Sequence, residues 1–247
     1  MSARDVSVRA GGWALISAAV LFMAVFGYLA QAFNYPDVLD GRAADVLPRL
    51  LALGSTGRAV WALYGVLPLL LIPASLGAYA ALSAHAPALM RLAVVFAIMA
   101  AGAMMVGLLR WPSIHWILAT RYVDGGAVEQ QAIATVFEGL NSFLGNYIGE
   151  FTGELSLNLT FLFTALALRT NADFPRWLGT AGFAVAAAGL IGMWRNVTPF
   201  VAGVAEVDNY LLPLWMTVLG AALVRAGHTA PTVSAADHRR RRLAPSK

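Results

Sequence analysis

"FEGLNSFLGNYIGEFTGELSLNLTF", Phe137 to Phe161, is apolar enough to enter a membrane, yet it carries Glu138, Glu150 and Glu154 with Asn141, Asn146 and Asn158. If this stretch crosses a bilayer, the chain is a membrane bundle with a polar interior. If it does not, the chain is an unusually greasy soluble domain. Composition decides. The 247 residues are 59% hydrophobic and 12% charged, against about 25% charged residues in an ordinary soluble domain. Mean hydropathy is +0.68. Apolar runs of about 20 residues recur, the length a ~30 Å hydrocarbon core requires.

Six such runs are expected to span: Trp13 to Phe33, Val60 to Leu82 with Pro68 and Pro73, Leu89 to Leu109, Asn146 to Leu168, Trp177 to Trp194, and Asn209 to Arg225 with Pro213. No internal repeat or soluble domain interrupts them. The reading is all-α: one polytopic domain over residues 1–226, followed by a basic, unstructured cytoplasmic tail over 227–247. With the N-terminus inside, Arg42, Arg49, Arg58, Arg110, Arg121 and Arg195 fall outside and the remaining Lys and Arg inside. That bias obeys the positive-inside rule, N-in and C-in. Beside a span, the tail "HRRRR" (His238 to Arg242) points to topology and anionic lipid rather than nucleic acid. Arg4, Arg9, an apolar run and "AQA" (Ala30 to Ala32) have the outline of a secretory signal, but the run is long for one.

Short interfacial helices are expected on the outer side. Apolar spacing at Val46, Leu47, Leu50, Leu51 and Leu53 predicts an amphipathic helix lying on the outer surface, entered after Asp45 and broken at Gly54. Trp111, Trp116 and Tyr122 fit an aromatic belt. A lead-in helix after Gly125-Gly126 carries Glu138. Arg195 to Tyr210, with Glu206 and Asp208, reads as an outer loop between the last two spans.

Projected at 100° per residue, the opening stretch sorts into two faces. Asn141, Ser142, Asn146, Glu150, Glu154 and Asn158 share a broad polar arc with Gly145, Gly149 and Gly153. Leu144, Ile148, Phe151, Leu155 and Leu162 oppose them. Glycines four apart permit close helix contact or room for a ligand. The carboxylates ask for more. An ionised carboxylate at the bilayer centre costs ~2.5–3.5 kcal/mol on insertion scales, and two at i, i+4 repel. Leu168 lies about 27 Å below Glu150 at ~1.5 Å per residue, so Glu150 sits near the outer edge of the hydrocarbon.

Glu150, Glu154, Asn146, Asn158, Arg110, Arg195 and His115 therefore gather as candidate site residues at the outer end. Four answers to the carboxylates stay open: an ion-pair network with Arg110 or Arg195, a proton or ion site, a pocket for a small or lipid-like molecule, and a catalytic acid–base pair. One histidine with scattered carboxylates is a poor metal signature, and no HExxH or Glu-x-x-His occurs. Zero cysteines exclude disulfides and thiolate chemistry. There is no G-x-S-x-G, P-loop or dinucleotide fingerprint, so neither metal nor cofactor is expected.

"YPDVL", "RAVWALYGVLPLLLIPASLGAYAAL", "RWP", "FEGLNSFLGNYIGEFTGEL" and "PRWLGTAGF" together resemble the bacterial membrane family known as domain of unknown function 4386. The resemblance spans about Gly12 to Arg225, and Tyr35-Pro36-Asp37, Arg110-Trp111-Pro112 and Asn146 to Gly153 carry it most specifically. It implies a multi-pass protein of the bacterial cytoplasmic membrane and supplies no activity. The leading expectation is an outward-facing polar pocket at Glu150 and Glu154 that binds or translocates a proton, cation or small amphiphile. Alternatives are an intramembrane enzyme using Glu150 or Glu154 as general acid on a lipid or isoprenoid-like substrate, and a structural or regulatory subunit whose carboxylates only pair.

Overall fold

The computed structural model describes residues 2–229; of the tail expected over 227–247, residues 227–229 continue the last helix, and the rest, with its arginine run, lies outside the described residues. The described chain is helical throughout. Its helices are α1 (Ala3–Phe33), α2 (Ala43–Ala52), α3 (Gly54–Val66), α4 (Leu71–Leu82), α5 (Pro87–Leu109), α6 (Trp116–Asp124), α7 (Ala127–Leu140), α8 (Gly153–Thr170), α9 (Arg176–Gly192) and α10 (Ala202–Thr229). Stacked end to end, they make six helices long and apolar enough to span a membrane: Ala3–Phe33, Gly54–Leu82, Pro87–Asp124, Ala127–Thr170, Arg176–Asn196 and Pro199–His228. All six expected spans are found, most of them longer than their apolar cores.

Each span packs on its neighbour in sequence, and α10 closes the ring by packing along α1. Both described ends lie on one side, since Arg9 lies against Gly227 and Gly12 against Gly220 and Val224. The size pattern along α5 is that of a membrane helix. Met90, Ala93, Ala97, Ala100 and Gly107 are buried, while Leu92, Val95, Ile98, Met99 and Val106 are exposed. Without a hydrophobic drive between helices in lipid, small side chains go inward where backbones can approach, and large ones face outward.

The half of the ring near the termini is packed through. A Cβ on Gly11 would lie 2.5 Å from the Gly77 Cα, and one on Gly12 would lie 2.6 Å from the Gly220 carbonyl oxygen. Glycine there is a condition of α1 fitting between α4 and α10. Leu15, Leu82, Met90, Phe161, Leu168, Trp215 and Leu219 fill the rest.

The other end carries a helical cap. Asn34, at φ 56°, ends α1, and the Tyr35–Pro36 peptide that follows is cis. Gly54, at φ +63°, makes the corner from α2 into α3. The amphipathic segment is a helix and breaks where expected; its apolar face is covered by protein, while Ala44, Asp45, Pro48 and Arg49 on the other face are exposed. Val46, Leu47 and Leu50 of α2 are fully buried, because α2 packs against α6 and α7. Those helices offer Leu118, Ala119, Ile133 and Phe137 to a cluster that also holds Phe33, Trp61 and Trp111. The lead-in helix after Gly125-Gly126 is α7.

Two segments depart from α geometry. Trp111–His115 and Asn141–Thr152 are π-helical, with i→i+5 bonding, a form usually confined to single turns and frequent at functional sites. Pro112 accounts for the first: it has no N–H for the ladder, and the His115 N–H reaches back to the Arg110 carbonyl. The second replaces the α register expected for the opening stretch.

Candidate functional site

The glycine track meets α5 along its length. A Cβ on Gly149 would lie 2.8 Å from the Gly107 Cα, and one on Gly153 would lie 2.7 Å from Met104 Cγ. At Gly145 the space is filled by the Arg110 guanidinium, whose Nη2 would lie 2.4 Å from a Cβ there. The glycines serve close approach between spans, and one of them makes room for a buried cation.

Arg195, in the turn after α9, answers both carboxylates. Its Nη1 donates to Glu154 Oε2 at 2.6 Å, and its Nη2 donates to Glu154 Oε1 at 2.7 Å and Glu150 Oε2 at 2.9 Å. The guanidinium fork thus holds Glu154 at both oxygens and Glu150 at one, the geometry in which arginine exceeds lysine. Asn196 completes the clamp. Its Nδ2 donates to Glu150 Oε2 and to the Asn146 carbonyl, each at 2.9 Å. The repulsion expected between the two glutamates is offset in part by the one cation that both of them bind. Arg195, Glu150 and Glu154 side chains retain 26%, 20% and 24% exposure, so the clamp is not sealed in a packed interior.

That exposure is toward a cavity of about 510 Å³ lined by all six spans. Glu150, Glu154, Arg195, Arg110 and Asp208 give it polar walls, Tyr35 and Asp37 belong to the turn after α1, and Met23, Leu71, Met104 and Met216 supply apolar walls toward mid-bundle. Burial pushes the Tyr35 hydroxyl up to about 12, so that group is an uncharged donor near neutrality. Below the cavity, Ser156, Thr160 and Thr164 return their hydroxyls to carbonyls four residues back on the same helix.

The remaining candidates separate. Asn158 lines the cavity; its Nδ2 donates to the Glu154 carbonyl, while its Oδ1 is buried without a partner. Asn146 enters through its backbone carbonyl. Arg110 is 4% exposed and forms no ion pair with a described carboxylate. It donates from Nε to Asn141 Oδ1 at 3.1 Å and from Nη1 to the Gly107 carbonyl, and its guanidinium lies 5.0 Å from the Trp111 ring centroid. Asn141 in turn donates to the Leu39 carbonyl at 2.7 Å, tying span three to the turn after α1. His115 does not join the cavity. It is fully buried, with its ring 4.8 Å from both the Trp111 and Phe137 rings and neither nitrogen hydrogen-bonded.

One site residue escapes the sequence reading: Asn196 follows Arg195 directly, and that adjacency is the one cue for it. Asp208 is expected among the charges at the outer end but in a loop, whereas α10 begins at Ala202 and carries it as a helical residue. It is 7% exposed, lines the cavity, and its Oδ1 has no hydrogen-bond partner. Among the described residues no group of three or more His, Asp or Glu side chains is arranged to hold a metal ion.

Searches of curated proteins and of solved structures each found no match. The domain-of-unknown-function family DUF4386 matches residues 11–227, covering all six spans, the clamp and the cavity. The chain is a member of the DUF4386 family.

Proposed function

We propose that the protein binds a small amphiphile within the membrane, with its polar group at the charged end of the central cavity and its apolar part toward mid-bundle. The observation that carries this reading is the cavity itself: about 510 Å³, contributed by all six spans, with charged and apolar side chains both in its walls. Small-molecule sites occupy about 300–1,000 Å³ and combine apolar walls with a few convergent polar groups. The bias of arginine toward the termini supports an orientation with both ends in the cytoplasm and the cavity toward the outer leaflet, and the family resemblance implies the bacterial cytoplasmic membrane.

Translocation is the weaker reading. The half near the termini is closed by glycine contacts and apolar side chains, and its hydroxyls are engaged on their own helix. A glutamate general acid is weaker still, because Arg195 already engages both Glu154 oxygens and one Glu150 oxygen, which leaves Glu154 without a free oxygen for a substrate. A purely structural role accounts for the Arg195 clamp but leaves the cavity without a purpose.

The test is binding of a fluorescent single-chain amphiphile to the purified protein in maltoside micelles. Ala202 lines the cavity, and Ala202→Trp should fill part of it. Saturable binding in wild type, lost in a folded Ala202→Trp variant, is the expected result. Equal binding to both proteins would sink the proposal.

A further inference from the structure

Besides the clamp, two buried charged side chains of opposite sign line the same cavity, Arg110 and Asp208; Asp37 and Glu206 also line it but are exposed. Arg110 is buried, uses Nε and Nη1 on neutral acceptors, and makes no hydrogen bond through Nη2. No described carboxylate pairs with it. Asp208 is buried with Oδ1 unpartnered, and no described cation pairs with it. Removing a charge from water without a partner is costly enough that buried charges are ordinarily paired. The Arg195 fork is taken by Glu150 and Glu154 and makes no ion pair with Asp208. Two separate unpaired charges at the walls of one cavity define a complementary guest.

We infer that the cavity recognises a zwitterionic amphiphile, whose anionic group pairs with Arg110 and whose ammonium pairs with Asp208. This rests on the amphiphile-binding reading and names its ligand class. The anion would meet Arg110 through the unused Nη2, beside Trp111 and Tyr35. The ammonium would meet the free Oδ1 of Asp208 on the α10 wall. A metal cation is a poor substitute there, since no cluster of donors surrounds Asp208. The chemistry is shared by a phosphoethanolamine lipid and by a free acylated zwitterion, so the experiment includes both.

Purified protein in maltoside micelles would be titrated with five probes of equal chain length: a lysophosphoethanolamine, an alkyl-amino-acid zwitterion, a lysophosphatidate, an alkylamine and a monoacylglycerol. Affinity would be read by displacement of the fluorescent amphiphile. At least one zwitterion should bind at least about tenfold more tightly than the neutral probe, as expected for buried charge pairs. Asp208→Asn should remove that advantage and weaken the alkylamine while sparing lysophosphatidate. Arg110→Gln should do the reverse, and if it does not fold, Asp208→Asn alone carries the test. Preference for the phosphoethanolamine points to lipid headgroups; preference for the other zwitterion points to a free metabolite. Equal affinity for zwitterionic and neutral probes, or an Asp208→Asn protein that binds the zwitterion like wild type, would overturn the inference while leaving amphiphile binding intact. Loss of binding by every probe would overturn both.

Discussion

The two halves of the ring are built on opposite principles. Near the termini, backbone meets backbone: Gly11 on Gly77 and Gly12 on Gly220 leave no room between spans. At the other end the spans part around a cavity, and long charged side chains bridge the gap from Arg195 to Glu150 and Glu154. The first half obtains its order from van der Waals contact, which lipid does not compete with. The second obtains it from charge-assisted hydrogen bonds, which strengthen in low dielectric and demand complete satisfaction. A bundle made only of the first kind would be a plug. One made only of the second would have no rigid frame to hold the charges at bonding distance.

This contrast can be broken by substitution. Gly11→Leu should have the largest effect, because the incoming side chain meets the Gly77 backbone rather than a movable side chain. We expect loss of the folded monodisperse protein, read by fluorescence size exclusion in detergent. Arg195→Ala comes next, at about 3 kcal/mol, the lower range for stripping a buried carboxylate of its partner, since cavity exposure softens it. Arg195→Lys should recover only part of this, as an ammonium cannot grip both Glu154 oxygens in one plane. Glu154→Gln should cost about 2 kcal/mol and Glu150→Gln about 1 kcal/mol, following two guanidinium bonds against one. Thermal unfolding measures all four, and a reversed order of the two glutamates would mean that the clamp is not what orders this half. Smallest is Gly102→Ala, where a Cβ meets nothing within 4 Å; it should be neutral or stabilising by up to about 1 kcal/mol.

The sequence carried the span count, the glycine contacts, the break at Gly54 and the gathering of Glu150, Glu154 and Arg195 at one end. Each of these follows from periodicity, length or depth along one helix. What it could not carry depends on neighbours. Arg110 and Arg195 read alike as partners for the carboxylates, because spans three and five both flank span four, and only the packed side chains show that Arg195 takes both. Asp208 sits where apolar spacing is weak, so the expected span begins at Asn209, seven residues after α10 does at Ala202. Burial of α2 required α6 and α7 to form a cap, which no single-helix pattern reports. The π ladder at Asn141–Thr152 has no residue signature as plain as Pro112.

That ladder has a mechanical consequence. Residues advance about 100° around an α-helix, so a helix running as pure α from α7 into α8 would be out of phase at one of its ends. The wider turns absorb the offset. Asn141 can then face Arg110 and the Leu39 carbonyl while, on the same continuous rod, Glu150 and Glu154 face Arg195. The rod works as a clutch plate with two sets of teeth. Deleting a single residue between Asn141 and Thr152 would let the segment relax to α and rotate one set by about 100° relative to the other. The turn bearing Tyr35 and Asp37 would disengage from span three while the Arg195 clamp stayed closed.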